Sequence, residues 1–146
     1  MFNGAVTMSM KILVVHRQEE VTEHIKSVLN NKSIIRYASS GLDGLLAARI
    51  ESFDLIICST NLLMVTGFEL VRSVRTSSVN KNTPVIFLSD EFVDEKTEYL
   101  GHALGVAAIM AMEEVDACLA EVVNEKVRPE PDKEWISLLS DHDRLN

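Results

Sequence analysis

The chain has 146 residues, 47% of them apolar and 25% charged, and its 22 acidic against 14 basic side chains give a formal net charge of −8. A single globular domain of this length buries roughly 68–70% of its unfolded surface, so its core needs no structural metal and no disulfide staples. The acidic balance argues against non-specific binding to nucleic acid or to anionic membranes, both of which need clustered Lys and Arg.

Residues 1–10, MFNGAVTMSM, carry no basic cluster and no apolar stretch of signal-peptide length, and they read as a disordered leader with Met8 and Met10 as alternative starts. No later run approaches the roughly 18 residues of a membrane span. Ile12 to Val15 form a continuous β-branched-rich run, as expected of a strand covered on both faces. Val21, Ile25, Val28 and Leu29 then recur at helical spacing until Asn30-Asn31 breaks the pattern. Ile34, Ile35 and Tyr37 predict a second strand, and Ser39-Ser40-Gly41 supplies capping hydroxyls for a helix over Leu42 to Glu51. Leu55 to Cys58 repeat the buried-strand signature. Residues 59–67 read as a loop, and Phe68, Leu70, Val71 and Val74 mark a third helix.

Pro84 opens a fourth strand over Val85 to Leu88, and a fourth helix covers Asp94 to Leu104 and stops at Gly105. The stretch Val106 to Met110 and a helix over Val115 to Val127 complete the domain, which spans residues 11–127. Residues 128–146 carry two of the three prolines, many charges and the only Trp. They read as a charged tail or linker, with Trp135, Ile136, Leu138 and Leu139 as a docking turn. Cys58 and Cys118 sit singly inside apolar runs, which suits buried thiols in a reducing, cytoplasmic compartment. Five strands alternating with five helices predict an α/β, doubly wound, three-layer sandwich around a five-stranded parallel sheet. Chemistry in such a fold gathers at the carboxyl ends of the strands, which directs attention to His16, Arg17, Ser59, Thr60, Ser89, Asp90, Ala111 and Met112.

The order of segments and several local strings resemble the receiver domain of bacterial two-component response regulators. Lys11 to Val15 resembles the family's first strand, Ser40-Gly41 its Gly-led second helix, and Phe53 to Cys58 the approach to the phosphoacceptor. Gly67-Phe68-Glu69-Leu70 matches the opening of the third helix, Pro84 to Ser89 the fourth strand with its terminal hydroxyl, and Ala103 to Val106 the step into the fifth. The likeness covers about residues 10–125 and implies a flavodoxin-like fold. Receivers take a phosphoryl group from a histidine kinase onto an aspartate. An acidic pair and the acceptor carboxylate hold Mg²⁺ there, while a Lys and a hydroxyl contact the phosphoryl oxygens.

Carried over position by position, the resemblance implies a degenerate pocket. The acidic pair falls on His16 and Arg17, the acceptor on Ser59, and the Lys on Met112, or on Ala111 by the usual loop length. Ser89 alone survives, and the aromatic switch position falls on Ile109. The implied protein is a pseudo-receiver with no metal, no cofactor and no enzymatic reaction, acting through a protein partner: a kinase, an output domain or a second copy. The family's common dimer surface, made by the fourth helix, fifth strand and fifth helix, would include Glu95, Glu98 and Ile109. The Arg17 guanidinium is expected to replace the metal ion by pairing with Asp90 or hydrogen-bonding Ser59. Two other readings compete: a phosphorelay receiver with an unusual acceptor, and a small flavodoxin-like ligand binder. The loop His16-Arg17-Gln18-Glu19 has no glycine and little of the hydroxyl content that a phosphate loop needs, which disfavours the ligand binder.

Overall fold

The strands over Leu55–Ser59 and Val85–Ser89 are buried along their whole length, as is the stretch Ile12–Val15, and these runs are apolar almost throughout because they are covered on both faces, whereas the edge strand Ser33–Ala38 alternates buried with exposed residues. A computed structural model describes residues 10–77 and 79–127; the leader up to Ser9 and the tail with Trp135 lie outside them. The elements run β1 (Met10–Val15), α1 (Glu20–Val28), β2 (Ser33–Ala38), α2 (Gly41–Ile50), β3 (Leu55–Ser59), α3 (Gly67–Ser77), β4 (Val85–Ser89), α4 (Glu95–Ala103), β5 (Ala108–Ala111), a 3₁₀ turn (Met112–Glu114) and α5 (Val115–Lys126). All five strands are parallel, in the order β2-β1-β3-β4-β5. The predicted doubly wound sandwich is therefore present. The first strand includes Met10, which pairs with Ser33.

Successive strand residues point to opposite faces and build two cores. Ile12, Val14, Ile57, Ile86 and Leu88 meet Ile25 of α1 and Val115, Leu119 and Val123 of α5. Leu13, Val15, Ile56, Cys58 and Phe87 meet Ala48 of α2 and Leu70, Val71 and Val74 of α3. Phe68 tilts against the buried Phe87, with ring centroids 5.0 Å apart.

Local chemistry sets the boundaries. Asn30 and Asn31 both adopt left-handed backbone, φ 60° and 56°, which ends α1 and turns the chain into β2. The Ser40 hydroxyl accepts from the Asp43 N–H and the Asp94 carboxylate from the Thr97 N–H, capping α2 and α4. Gly105, φ 68°, stops α4. The Val106 and Ala107 N–H groups donate to the carbonyls of Gly101 and Val85, and β5 starts at Ala108, shorter than its apolar run suggests.

Two polar side chains hold the amino-terminal end of the sheet together. Fully buried Asn80 accepts from the Phe53 N–H and the Thr83 hydroxyl and donates to the carbonyls of Ala48 and Glu51. Arg75 donates to four carbonyls, those of Lys81, Thr83, Leu104 and Gly105, so one guanidinium ties the loop before β4 to the turn before β5.

Candidate functional site

The strand order reverses beside β1, whose neighbours are β2 and β3, and the carboxyl ends of β1, β3 and β4 meet there. His16 leaves β1 buried, at 3% exposure. Its N–H donates to the Ala38 carbonyl, its own carbonyl accepts from the Tyr37 hydroxyl at 2.7 Å, and its Nδ1 accepts from the Gln18 N–H at 3.0 Å. A backbone N–H can only donate, so Nδ1 keeps its lone pair and the neutral ring carries its proton on Nε2. That Nε2 has no hydrogen-bond partner and faces Asp90 Oδ1 at 3.8 Å. Burial holds the imidazole pKa below 6.5, aided by the Arg17 charge and opposed by Asp90 and Glu20. His16 is therefore a neutral donor at physiological pH.

Arg17 corrects an expectation. It is exposed and makes no ion pair or hydrogen bond to Asp90 or Ser59. The tight Gln18-to-His16 turn directs the imidazole, not the guanidinium, toward Asp90.

Ser59 ends β3 at 1% exposure, and its hydroxyl accepts from the Asn61 N–H at 3.0 Å. Gly67 opens α3 directly over it, and a Cβ at that position would overlap the Ser59 carbonyl oxygen. Beneath it, burial pushes the Cys58 thiol up to about 12. Ser89 ends β4 with its hydroxyl donating to the Glu91 carbonyl and accepting from the Glu91 N–H, so it serves its own loop. Asp90 Oδ2 accepts from the Asn61 amide at 3.3 Å, while Oδ1 accepts no hydrogen bond among the described residues. Asn61, passed over in the sequence as a loop residue, thus joins β3 to β4 at the site.

The fifth strand contributes differently from expectation. Ser89 pairs in register with Ala111, so Ala111 is the strand-end residue nearest the β4 hydroxyl. Met112 turns away into the 3₁₀ segment and packs on the α1–α5 core, which removes it from the site. Glu114 closes that turn by accepting from the Ala111 N–H at 2.9 Å. Ile109 is half-buried, its Cδ1 lying where Gly101 of α4 would carry a side chain. It packs inward, and Glu95 and Glu98 are exposed on the first turn of α4.

Beside these strand ends lies an open cleft of about 320 Å³, lined among others by Asn61, Ser89, Asp90, Phe92 and Asp94. Its donor set does not fit Mg²⁺. A hard cation needs several converging oxygen ligands, whereas Asp90 is the one carboxylate at the strand ends, beside an imidazole Nε2 that already holds a proton. The other two acids lining the cleft, Glu91 and Asp94, are not grouped with it as a ligand set, Asp94 being engaged in capping Thr97. The same protonated Nε2 disqualifies His16 as a ligand for softer metals. Among the described residues no group of three or more His, Cys, Asp or Glu side chains is placed to hold a metal ion.

A doubly wound parallel sandwich with polar residues gathered at a topological switch point defines the class: an α/β domain of the flavodoxin-like kind. Residues 12–116 match the family model of the response regulator receiver domain, and the chain belongs to that family, the receivers of two-component signalling. Receivers of this family contact kinases and output domains or dimerise. The cell cycle response regulators CtrA of Brucella ovis and Brucella canis are each 27% identical over 94 residues, 63% of this chain and 40% of theirs. The chain thus spans well under half the length of those relatives. Among solved structures, the chemotaxis response regulator CheY4 of Vibrio cholerae superposes with a TM-score of 0.67 at 27% identity, covering 78% of this chain and 98% of that one. A CheY-like receiver domain protein from Methanospirillum hungatei reaches 0.72 at 18% identity, over 81% of this chain and 93% of that one, a likeness of fold alone. No helix among the described residues is long and apolar enough to cross a membrane.

Proposed function

We propose that this chain is a pseudo-receiver: a cytoplasmic receiver-family module that takes no phosphoryl group on aspartate and signals through protein–protein contact. The observation that carries the reading is Ser59, a buried neutral hydroxyl at the end of β3, engaged with the Asn61 N–H where a receiver presents its acceptor carboxylate. The surroundings agree with it. His16 is a neutral donor, Arg17 stands exposed and offers no oxygen ligand, and Ala111 brings no charge where a lysine would meet the phosphoryl oxygens.

Intact mass after incubation with acetyl phosphate, with and without Mg²⁺, tests this reading. The mass is expected to stay constant in both, and a Mg²⁺-dependent gain of one phosphate would sink it. The partner, a kinase, an output domain or a second copy, is expected on the side of α4, β5 and α5. Glu95 and Glu98 are the exposed contributors there, while the inward packing of Ile109 narrows the surface. Charge reversal at both glutamates should weaken association in sedimentation or pull-down, and unchanged association would move the interface elsewhere.

A further inference from the structure

Residues 90–99 carry five carboxylates, Asp90, Glu91, Asp94, Glu95 and Glu98, against one lysine, Lys96, a net of −4 and so half of the chain's −8. The Glu91, Glu95 and Glu98 carboxylates form no ion pair or hydrogen bond among the described residues, and Asp90 Oδ1 accepts no hydrogen bond. The same stretch exposes two large aromatic rings, Phe92 at 87% and Tyr99 at 74%. On α4, Gly101 is buried and Thr97 and Leu100 are half-buried, while Glu95, Glu98 and Tyr99 share the outer face at spacings of three and four. The helix dipole accounts for Glu95 and Glu98 in the first turn. It does not account for Glu91, which precedes the helix, nor for the two rings, whose exposure contributes nothing to folding.

We infer that the β4–α4 loop and the outer face of α4 dock a cationic, partly apolar segment of a protein partner, one Lys or Arg of which enters the cleft beside Phe92 and Asp90. Charge complementarity selects the occupant. A cation placed among unpaired carboxylates and against aromatic faces gains both Coulomb and cation–π energy, whereas an anionic lipid or nucleic acid is repelled. Asp90, Glu91 and Asp94 line the cleft that would receive such a head group, and its volume of about 320 Å³ admits one long side chain. Phe92 and Tyr99 then cover the apolar part of the segment. This inference rests on the interaction reading proposed above and adds the chemistry of the partner.

The probe is a fluorescein-labelled amphipathic peptide bearing Arg and Leu at helical spacing, alongside the same peptide with Glu for every Arg. Fluorescence anisotropy should show salt-sensitive binding of the Arg peptide alone. Affinity should drop about tenfold in Glu91→Lys/Glu98→Lys and about fivefold in Phe92→Ala/Tyr99→Ala, with amide shift changes centred on residues 90–99. All four positions are exposed, so melting temperatures should stay at the wild-type value. Equal binding by the charge-reversed protein, or shift changes centred on another face, would overturn the inference. Failure here is separable from failure of the pseudo-receiver reading. A chain that ignores the peptide yet gains no phosphate loses only the docking surface; one that binds the peptide and gains a Mg²⁺-dependent phosphate loses only the pseudo-receiver.

Discussion

Acidification below pH 6.5 should destabilise the domain through one buried side chain, His16. In the folded state its Nδ1 accepts from the Gln18 N–H, and protonating that nitrogen would set two donors against each other. Burial, the largest cause, holds the folded pKa below the ordinary 6.5. Between 6.5 and that lower value the unfolded chain binds a proton that the folded chain refuses, so stability falls as the pH falls and is fully present above 6.5. The slope approaches about 1.4 kcal/mol per pH unit while the proton is refused, a sizeable fraction of the roughly 5–15 kcal/mol such domains possess. His16→Asn is the informative variant, because its amide oxygen can still accept from Gln18 and it does not titrate. Urea midpoints measured from neutral to mildly acid pH should decline for the wild type, and the decline should be shallower in His16→Asn. Asp90→Asn should steepen the wild-type decline, since the Asp90 charge raises the His16 pKa. Parallel profiles for wild type and His16→Asn, or an NMR assignment of the imidazole proton to Nδ1, would refute the reasoning.

Asn80→Ala strands the Phe53 N–H and two carbonyls in the interior and should cost about 3 kcal/mol or more in urea unfolding; a loss under about 1 kcal/mol would mean water replaces the amide. Gly67→Ala should lower the melting temperature and shift the Ser59 and Asn61 amide resonances, because the new methyl group meets the Ser59 carbonyl. Cys58, with its thiol pushed up to about 12, should resist alkylation at mildly alkaline pH until the protein is unfolded, as followed by peptide mass mapping.

The alternation of strands and helices was legible because each buried strand is a short apolar run and each break carries its own chemistry: Asn30-Asn31, Ser40 as a cap, Gly105. The site was legible as a set of strand-end positions, less so as geometry. Nothing in the order His16-Arg17 says which side chain turns inward; the Gln18 N–H decides it, and that bond exists only once the turn has formed. Whether Ala111 or Met112 ends β5 depends on register with Ser89, a property of two strands and not of either alone. Ile109 reads as a surface residue until Gly101 leaves room above it. Asn80 and Arg75 carry little local signal, since several of their partners are main-chain groups about thirty residues away along the chain: Phe53, Ala48 and Glu51 for Asn80, Leu104 and Gly105 for Arg75.

The Arg75 clamp divides the molecule into a fixed end and a free one. Four carbonyls from two connections converge on a cation that never loses its charge in the physiological range, so the foot of the sheet behaves as a permanent rivet. The opposite rim is held by scattered single contacts, such as Tyr37 to the His16 carbonyl and Asn61 to Asp90, so conformational response to a bound partner is expected there. Hydrogen exchange should rank accordingly, slow around Thr83 and Val106 and fast from Asp90 to Asp94.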